Sequence, residues 1–136
     1  MKNDVNVTDA VPFFAVNNIE KSIRFYVDGL GFEKTNEWID NGKLSWCWLK
    51  HGGASLMLQE FPKEGHDSWV PEGKVGDGVS VYFICEDALS VYREIKSRGI
   101  KASRPIVGNG MWVTSLSDPD GYQIHFESFT SVAEDT

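Results

Sequence analysis

Apolar positions along this chain switch between two periods, and the switching happens twice. Val11-Pro12-Phe13-Phe14-Ala15-Val16 is a short, nearly continuous apolar run, the pattern of a buried strand. Ile19, Ile23, Tyr26, Val27 and Leu30 then recur at helical spacing. Asn17, with Glu20 three residues on, matches a capping box at the start of that helix, and Gly31 ends it. Residues 32–39 read as a second strand, Asp40-Asn41-Gly42 as a hairpin turn, 44–49 as a third strand, Lys50-His51-Gly52-Gly53 as another turn, and 54–60 as a fourth strand. The second pass gives a strand over 79–85, a helix started by Asp87 and stopped by Gly99, and strands near 100–105, 111–117 and 122–128. The order is β-α-β-β-β, twice.

The two passes are copies at a fixed offset. Stepping back 68 residues takes Gly121 to Gly53, Asn109-Gly110 to Asn41-Gly42, Gly99 to Gly31 and Val79 to Val11. Four landmarks at one offset predict a duplicated unit. Module one spans 11–60 and module two 79–128, within a single domain of 1–136. Residues 61–77 hold Pro62, Gly65, Pro71, Gly73 and Gly76 and read as a linker, inside which Trp69 needs a packing partner. Residues 1–10 and 130–136 read as frayed ends.

Composition narrows the class. The formal charge of −7 argues against nucleic acid and favours cationic partners. No apolar run approaches the roughly 18 residues of a membrane helix, and the first six residues lack a signal-peptide core, so the expected location is the cytoplasm and no membrane partner is expected. Cys47 and Cys85 sit in apolar strand-like runs, the setting of buried thiols rather than of a disulfide.

The densest signal lies at the end of module two. Asp118-Pro119-Asp120-Gly121 is a turn, because Pro presets φ, Asp bonds its own backbone and Gly takes positive φ. In the strand that follows, Ile124 and Phe126 face one way, and Gln123, His125 and Glu127 the other. His125 therefore stands beside Glu127, which can orient the imidazole or raise its pKa. Two roles are open for His125, a hydrogen-bonded structural histidine or a catalytic one. His51, in a turn, and His66, in the linker, read as surface residues.

Two β-α-β-β-β units, Phe25-Tyr26 with Gly29-Leu30-Gly31-Phe32 in the first, and the run Asp118 to Ser128 at the end, resemble the vicinal-oxygen-chelate superfamily. That superfamily includes glyoxalase I, extradiol dioxygenases, fosfomycin-resistance enzymes and bleomycin-resistance proteins. The resemblance covers residues 11 to 128 and implies an α+β fold, in which two βαβββ modules form curved mixed sheets around a cleft with helices outside. It also implies four metal-ligand positions in metal-dependent members, one at the start of each module's first strand and one in each last strand. Here those positions carry Val11, Met57, Val79 and His125. A divalent metal of this type needs at least three nitrogen, oxygen or thiolate ligands, so no metal and no other cofactor is expected. A shifted site using His125, Glu127, Gln59 or Glu60 stays open, since a one-residue slip changes faces.

Hairpin geometry predicts what lines the cleft. An even Lys50–Gly53 turn with pairing that sums to 103 sets Trp46 opposite Met57, Trp48 opposite Ser55 and Leu44 opposite Gln59. Carried across the repeat, Trp112 faces Glu127 and Thr114 faces His125. The expected cleft then holds Phe13, Trp46, Trp48, Met57, Gln59, Phe83, Trp112, His125 and Glu127, while Cys47, Leu56, Leu58, Ile124 and Phe126 pack under the helices. A bulge would turn Trp46 and Trp48 into the core instead.

An aromatic cleft with few polar groups suits a small-molecule site. Within the superfamily, bleomycin-resistance proteins fit best, which implies a metal-independent homodimer that sequesters a hydrophobic or aromatic, cationic ligand. Two other classes stay open, an enzyme with a degenerate or rearranged metal site (a glyoxalase-like lyase or isomerase, or a dioxygenase relative) and an interaction module without a small ligand. Metal analysis separates the first from binding, and tryptophan fluorescence titration separates binding from the second.

Overall fold

A computed structural model of the chain describes residues 5–66 and 68–134; of the expected frayed ends at 1–10 and 130–136, residues 1–4 and 135–136 lie outside the described residues. Strand β1 (Phe13–Val16) leads into helix α1 (Ile19–Ile23), which widens into a π-helical turn over Arg24–Gly29. In that turn the Leu30 N–H reaches the carbonyl of Phe25, five residues back, at 3.0 Å. Strands β2 (Glu33–Asp40), β3 (Lys43–His51) and β4 (Ala54–Glu60) complete module one. Module two repeats the order with β5 (Ser80–Ile84), α2 (Ala88–Ser97), β6 (Ile106–Gly108), β7 (Met111–Ser117) and β8 (Gln123–Phe129). Each module folds its own mixed four-stranded sheet, in the orders β1-β4-β3-β2 and β5-β8-β7-β6, with the first strand parallel to the last.

Three local expectations are corrected. Asn18, not Asn17, caps α1: its side chain accepts the Lys21 N–H at 3.1 Å, while the Asn17 N–H is donated to Asp120 Oδ1 at 3.0 Å. The second strand of module two starts at Ile106 rather than near 100, because Pro105 has no N–H to give a ladder; Ser103 is tied to β7 by isolated bonds, donating its N–H to the Ser115 carbonyl at 2.7 Å and accepting the Ser115 N–H at its hydroxyl and the Thr114 hydroxyl at its carbonyl. Leu44 does not face Gln59 but is buried in the core.

The single offset of 68 hides three one-residue insertions that nearly cancel. The two helix caps, Asn18 and Asp87, stand 69 apart and share extended backbone (φ −141° and −146°). The π-turn is the extra residue of module one, and after it the offset is 68: Gly31 and Gly99 both take positive φ, as do Asn41-Gly42 and Asn109-Gly110 in the two hairpin turns. A second extra residue, a bulge at Ser45, follows. Trp38 pairs with Trp46 but Ile39 with Leu44, so β3 then runs 67 ahead of β7. A longer turn before β8 restores 68: β3 and β4 close on two residues between His51 and Ala54, whereas β7 and β8 close on five between Ser117 and Gln123.

One hydrophobic cluster spans both modules. Phe14, Val16, Cys47, Leu49, Leu56 and Leu58 come from the first sheet, Phe83, Leu116, Ile124 and Phe126 from the second, and Ile19, Tyr26 and Ile95 from the helical segments. The Asp118–Tyr122 turn stitches the seam. Tyr122 stacks on Phe14 at 3.8 Å and 4°, and its hydroxyl donates to the Ala15 carbonyl at 2.9 Å. Tyr26 donates to Asp118 Oδ2 at 2.6 Å, and Asp118 Oδ1 accepts the N–H groups of Asp120 and Tyr122. Trp69 finds a partner in the linker itself, edge-on to Phe61 at 5.4 Å, but stays half exposed.

Candidate functional site

Each sheet buries one face and leaves the other open. On the first sheet two rows cross the open face. Phe13, Met57, Trp48 and Asn36 form one, and Ala15, Gln59, Trp46 and Trp38 the other. The observed β3–β4 pairing sums to 105, so Trp46 stands opposite Gln59 and Trp48 opposite Met57; the two-residue slip from the expected register keeps these four side chains on their expected side. The bulge at Ser45 turns Leu44 inward and leaves Trp46 and Trp48 half-buried on the open side. Phe13 is 52% exposed and Trp38 54%. Trp38 was absent from the sequence-derived set. Only the bulge, which brings it opposite Trp46 instead of Ser45, places it there. Beside it, Gln59, Ser45, Lys43 and the start of the linker border a hollow of about 700 Å³.

On the second sheet the open rows are Ser80, Gln123 and Ser117; Tyr82, His125 and Ser115; and Ile84, Glu127, Val113 and Ile106. Two expected cleft residues are not among them. Trp112 pairs with Ser128 and Val107, not with Glu127, and Thr114 with Phe126, not with His125, because the five-residue turn before β8 has odd parity where the turn before β4 is even. Phe83 pairs with Phe126 on the buried side, since β5 is aligned to β1 at 69 rather than 68; Tyr82 takes the open position instead.

His125 is tightly framed. Its ring lies parallel to Tyr82 at 4.2 Å and 13°, and Nδ1 is 2.7 Å from Ser115 Oγ. Burial lowers its pKa from 6.5, with Glu127 acting weakly in the opposite sense, so the ring is neutral at pH 7. Ser115, rather than Glu127, sets the ring's orientation. Glu60 serves the fold: its carboxylate accepts the Ile19 N–H at 2.9 Å and pairs with Lys43 and Lys63. Burial acts to raise its pKa, and these partners together outweigh that and lower it. Cys47 is buried and Cys85 half-buried, and both are free thiols pushed up by burial, Cys47 to about 11.

Residues 8–126 match the family model described as Glyoxalase/Bleomycin resistance protein/Dioxygenase superfamily. The chain belongs to that superfamily. Solved structures of similar fold include a glyoxalase/bleomycin resistance protein from Streptomyces sp. CB03234 (24% identity over 88% of this chain and 98% of that one, TM-score 0.67). TnmS3, an antibiotic binding protein from the same Streptomyces, is 23% identical over 93% of this chain and all of its own, with TM-score 0.67. A bleomycin resistance determinant encoded on the transposon Tn5 is 22% identical over 93% and 100%, also at 0.67. At these identities the likeness is one of fold. No curated protein matches the chain.

The metal found in some members of the superfamily does not fit this residue set. Among the described residues no three of His, Cys, Asp and Glu come together. Where β1 and β4 meet on the open side stand Phe13 and Met57, and where β5 and β8 meet, Tyr82 covers the His125 ring. One imidazole whose Nδ1 is engaged by a hydroxyl and whose face is covered by a phenol ring is a poor donor set for a hard divalent ion. No step is derived through such a group.

Proposed function

We infer that the two open sheet faces bind a hydrophobic or aromatic, cationic small molecule reversibly, and that a second copy of the chain completes the cleft. The observation that carries this is the first sheet's open face: Phe13, Trp38, Trp46, Trp48 and Met57 stand on one surface, with Gln59 and Asn36 as polar groups among them. Soluble proteins seldom leave such a contiguous aromatic patch facing water without a partner for it. The second open face supplies what the first lacks, a carboxylate in Glu127 and a neutral, framed imidazole in His125. Aromatic walls stack on a planar ligand and attract a cation over their faces, each contact contributing on the order of 1 kcal/mol. The names borne by TnmS3 and the Tn5 determinant agree with this reading.

Quenching of tryptophan fluorescence by a planar aromatic cation, such as a methylated acridinium, tests it. Saturable quenching is expected, weakening as salt rises. Glu127→Gln should weaken the cation several-fold and spare a neutral isostere; equal losses for both would mean that charge is not recognised. Sedimentation should give a dimer at micromolar concentration, and a monomer would remove the second copy from the account.

A further inference from the structure

The seam between the modules is built twice, once with a plug and once without. At one end the turn before β8 leans on the end of β1, and Tyr122 fills the space: its ring lies on Phe14, and its hydroxyl is held by the Ala15 carbonyl. At the other end the turn before β4 approaches the end of β5 in the same way. The offsets of the two halves make Ala54 the counterpart of Tyr122, Phe83 that of Phe14 and Ile84 that of Ala15. Ala54 carries only a methyl group. In place of a tyrosine ring there is a pocket of about 400 Å³, whose walls include Ala54, Phe83, Ile84, Phe32 and Val91, with His51 at its margin.

We propose that this pocket is a binding site for a single planar aromatic ring bearing an O–H or N–H donor, a phenol or an indole, seated as Tyr122 is seated in the other half. The hydrogen-bond partner follows from strand alternation. The Val79 carbonyl and the Cys85 N–H point to β8, so the groups of Ile84, of opposite parity, point away from it to the outer edge of β5. The same parity in β1 leaves the Ala15 carbonyl outward for Tyr122, while Pro12 and Val16 serve β4. A ring on Phe83 can therefore donate to the Ile84 carbonyl. The volume is at the lower end of small-molecule sites, roughly 300–1,000 Å³. The walls come from the buried side of the second sheet, from α2, and from Phe32 and the His51–Ala54 turn of module one, and only Tyr82 and Ile84 at the rim are shared with the open face. The site thus stands or falls independently of the open-face cleft.

Phenol and indole titrated into ¹⁵N-labelled protein provide the test. Saturable shifts of the Ala54, Ile84 and Val91 amides are expected, with Kd on the order of 1 mM or tighter for a fragment of this size. Toluene, which lacks the donor, should bind at least several-fold more weakly. Ala54→Tyr supplies the missing plug and should weaken phenol at least tenfold, while Trp48→Ala on the open face should leave it unchanged. Should Ala54→Tyr fail to fold, Val91→Phe obstructs the same space from α2. Phenol shifts that survive the obstructing variant, that move to the open-face residues and vanish in Trp48→Ala, or that never saturate would overturn the proposal.

Discussion

Removing the hydroxyl of Tyr26 takes a single atom from the seam and tests how the two modules are joined. The ring is fully buried, and its O–H donates at 2.6 Å to a carboxylate that is itself 4% exposed. Tyr26→Phe keeps the ring, so the cost is the bond, not a cavity. A hydrogen bond to a buried charged group contributes about 1.5–3 kcal/mol. For a chain of this length 1 kcal/mol corresponds to roughly 3–5 °C, so a loss of about 2 kcal/mol should lower Tm by about 6–10 °C at pH 7. The pH dependence has a definite sign. Burial raises the Asp118 pKa above its ordinary 3.8, and the Tyr26 bond is the largest influence pulling it back. The folded state therefore holds this proton to higher pH than the unfolded chain does. Its contribution to stability is most favourable below pH 3.8 and declines as pH rises through the folded-state value. Loss of the Tyr26 bond moves that value further up and deepens the decline. The gap in Tm between the parent and Tyr26→Phe should be small near pH 4 and widest at pH 7, by calorimetry or circular dichroism. A gap of the same size at both pH values would mean that Asp118 is not ionised against Tyr26, and no gap at either would mean that the bond does not hold the seam.

Two further outcomes are expected. Gly76→Ala sets a Cβ 2.6 Å from the Gly121 carbonyl carbon and 2.7 Å from Tyr122 Cα, backbone that cannot yield without moving the turn, and should cost about 1–3 kcal/mol in urea unfolding; an unchanged midpoint would refute so close a contact. Trp112→Ala should lower stability by about 2–4 kcal/mol and leave open-face ligand binding intact, since Trp112 points to the core side with Ser128, while Trp48→Ala should do the reverse; loss of binding in the first variant would return Trp112 to the cleft.

Much of the fold was legible because duplicated local signals agree. Asn41-Gly42 and Asn109-Gly110 both specify hairpins, Gly31 and Gly99 both end helical segments, and each strand's alternation puts Cys47, Leu56, Leu58, Ile124 and Phe126 in the core. What was not legible is where one residue is gained or lost. A π-turn leaves the helical pattern of Tyr26, Val27 and Leu30 intact in sequence, yet it moves β1 by one position relative to β5 and so exchanges Phe83 for Tyr82 on the open face. The bulge at Ser45 is equally silent, and it brought Trp38 opposite Trp46. The turn before β8 carries a readable signal, but its length is set by tertiary bonds: Asp118 accepts two N–H groups of its own turn and the Tyr26 hydroxyl from the other module.

Those silent insertions are what make the two halves unlike. With period-two strands, a slip of one residue changes which side chains reach water; the first sheet's buried side holds Phe14, Cys47, Leu49, Leu56 and Leu58, while the second's mixes Phe83, Ile124 and Phe126 with the buried polar Thr114 and Ser128. The odd turn before β8 sets Val113 and Ser115 opposite Glu127 and His125, where the even turn before β4 sets Trp46 and Trp48 opposite Gln59 and Met57. One sheet thereby presents aromatic walls and the other a carboxylate and a neutral imidazole, from nearly the same arrangement of strands. The same divergence at the seam leaves Tyr122 in one socket and the methyl group of Ala54 in the other. A single offset throughout would have given the two sheets the same register; the unequal offsets set different residues on the two open faces, and the change of residue type between Tyr122 and its counterpart Ala54 leaves one socket empty, so each place for a ligand lies where the halves differ.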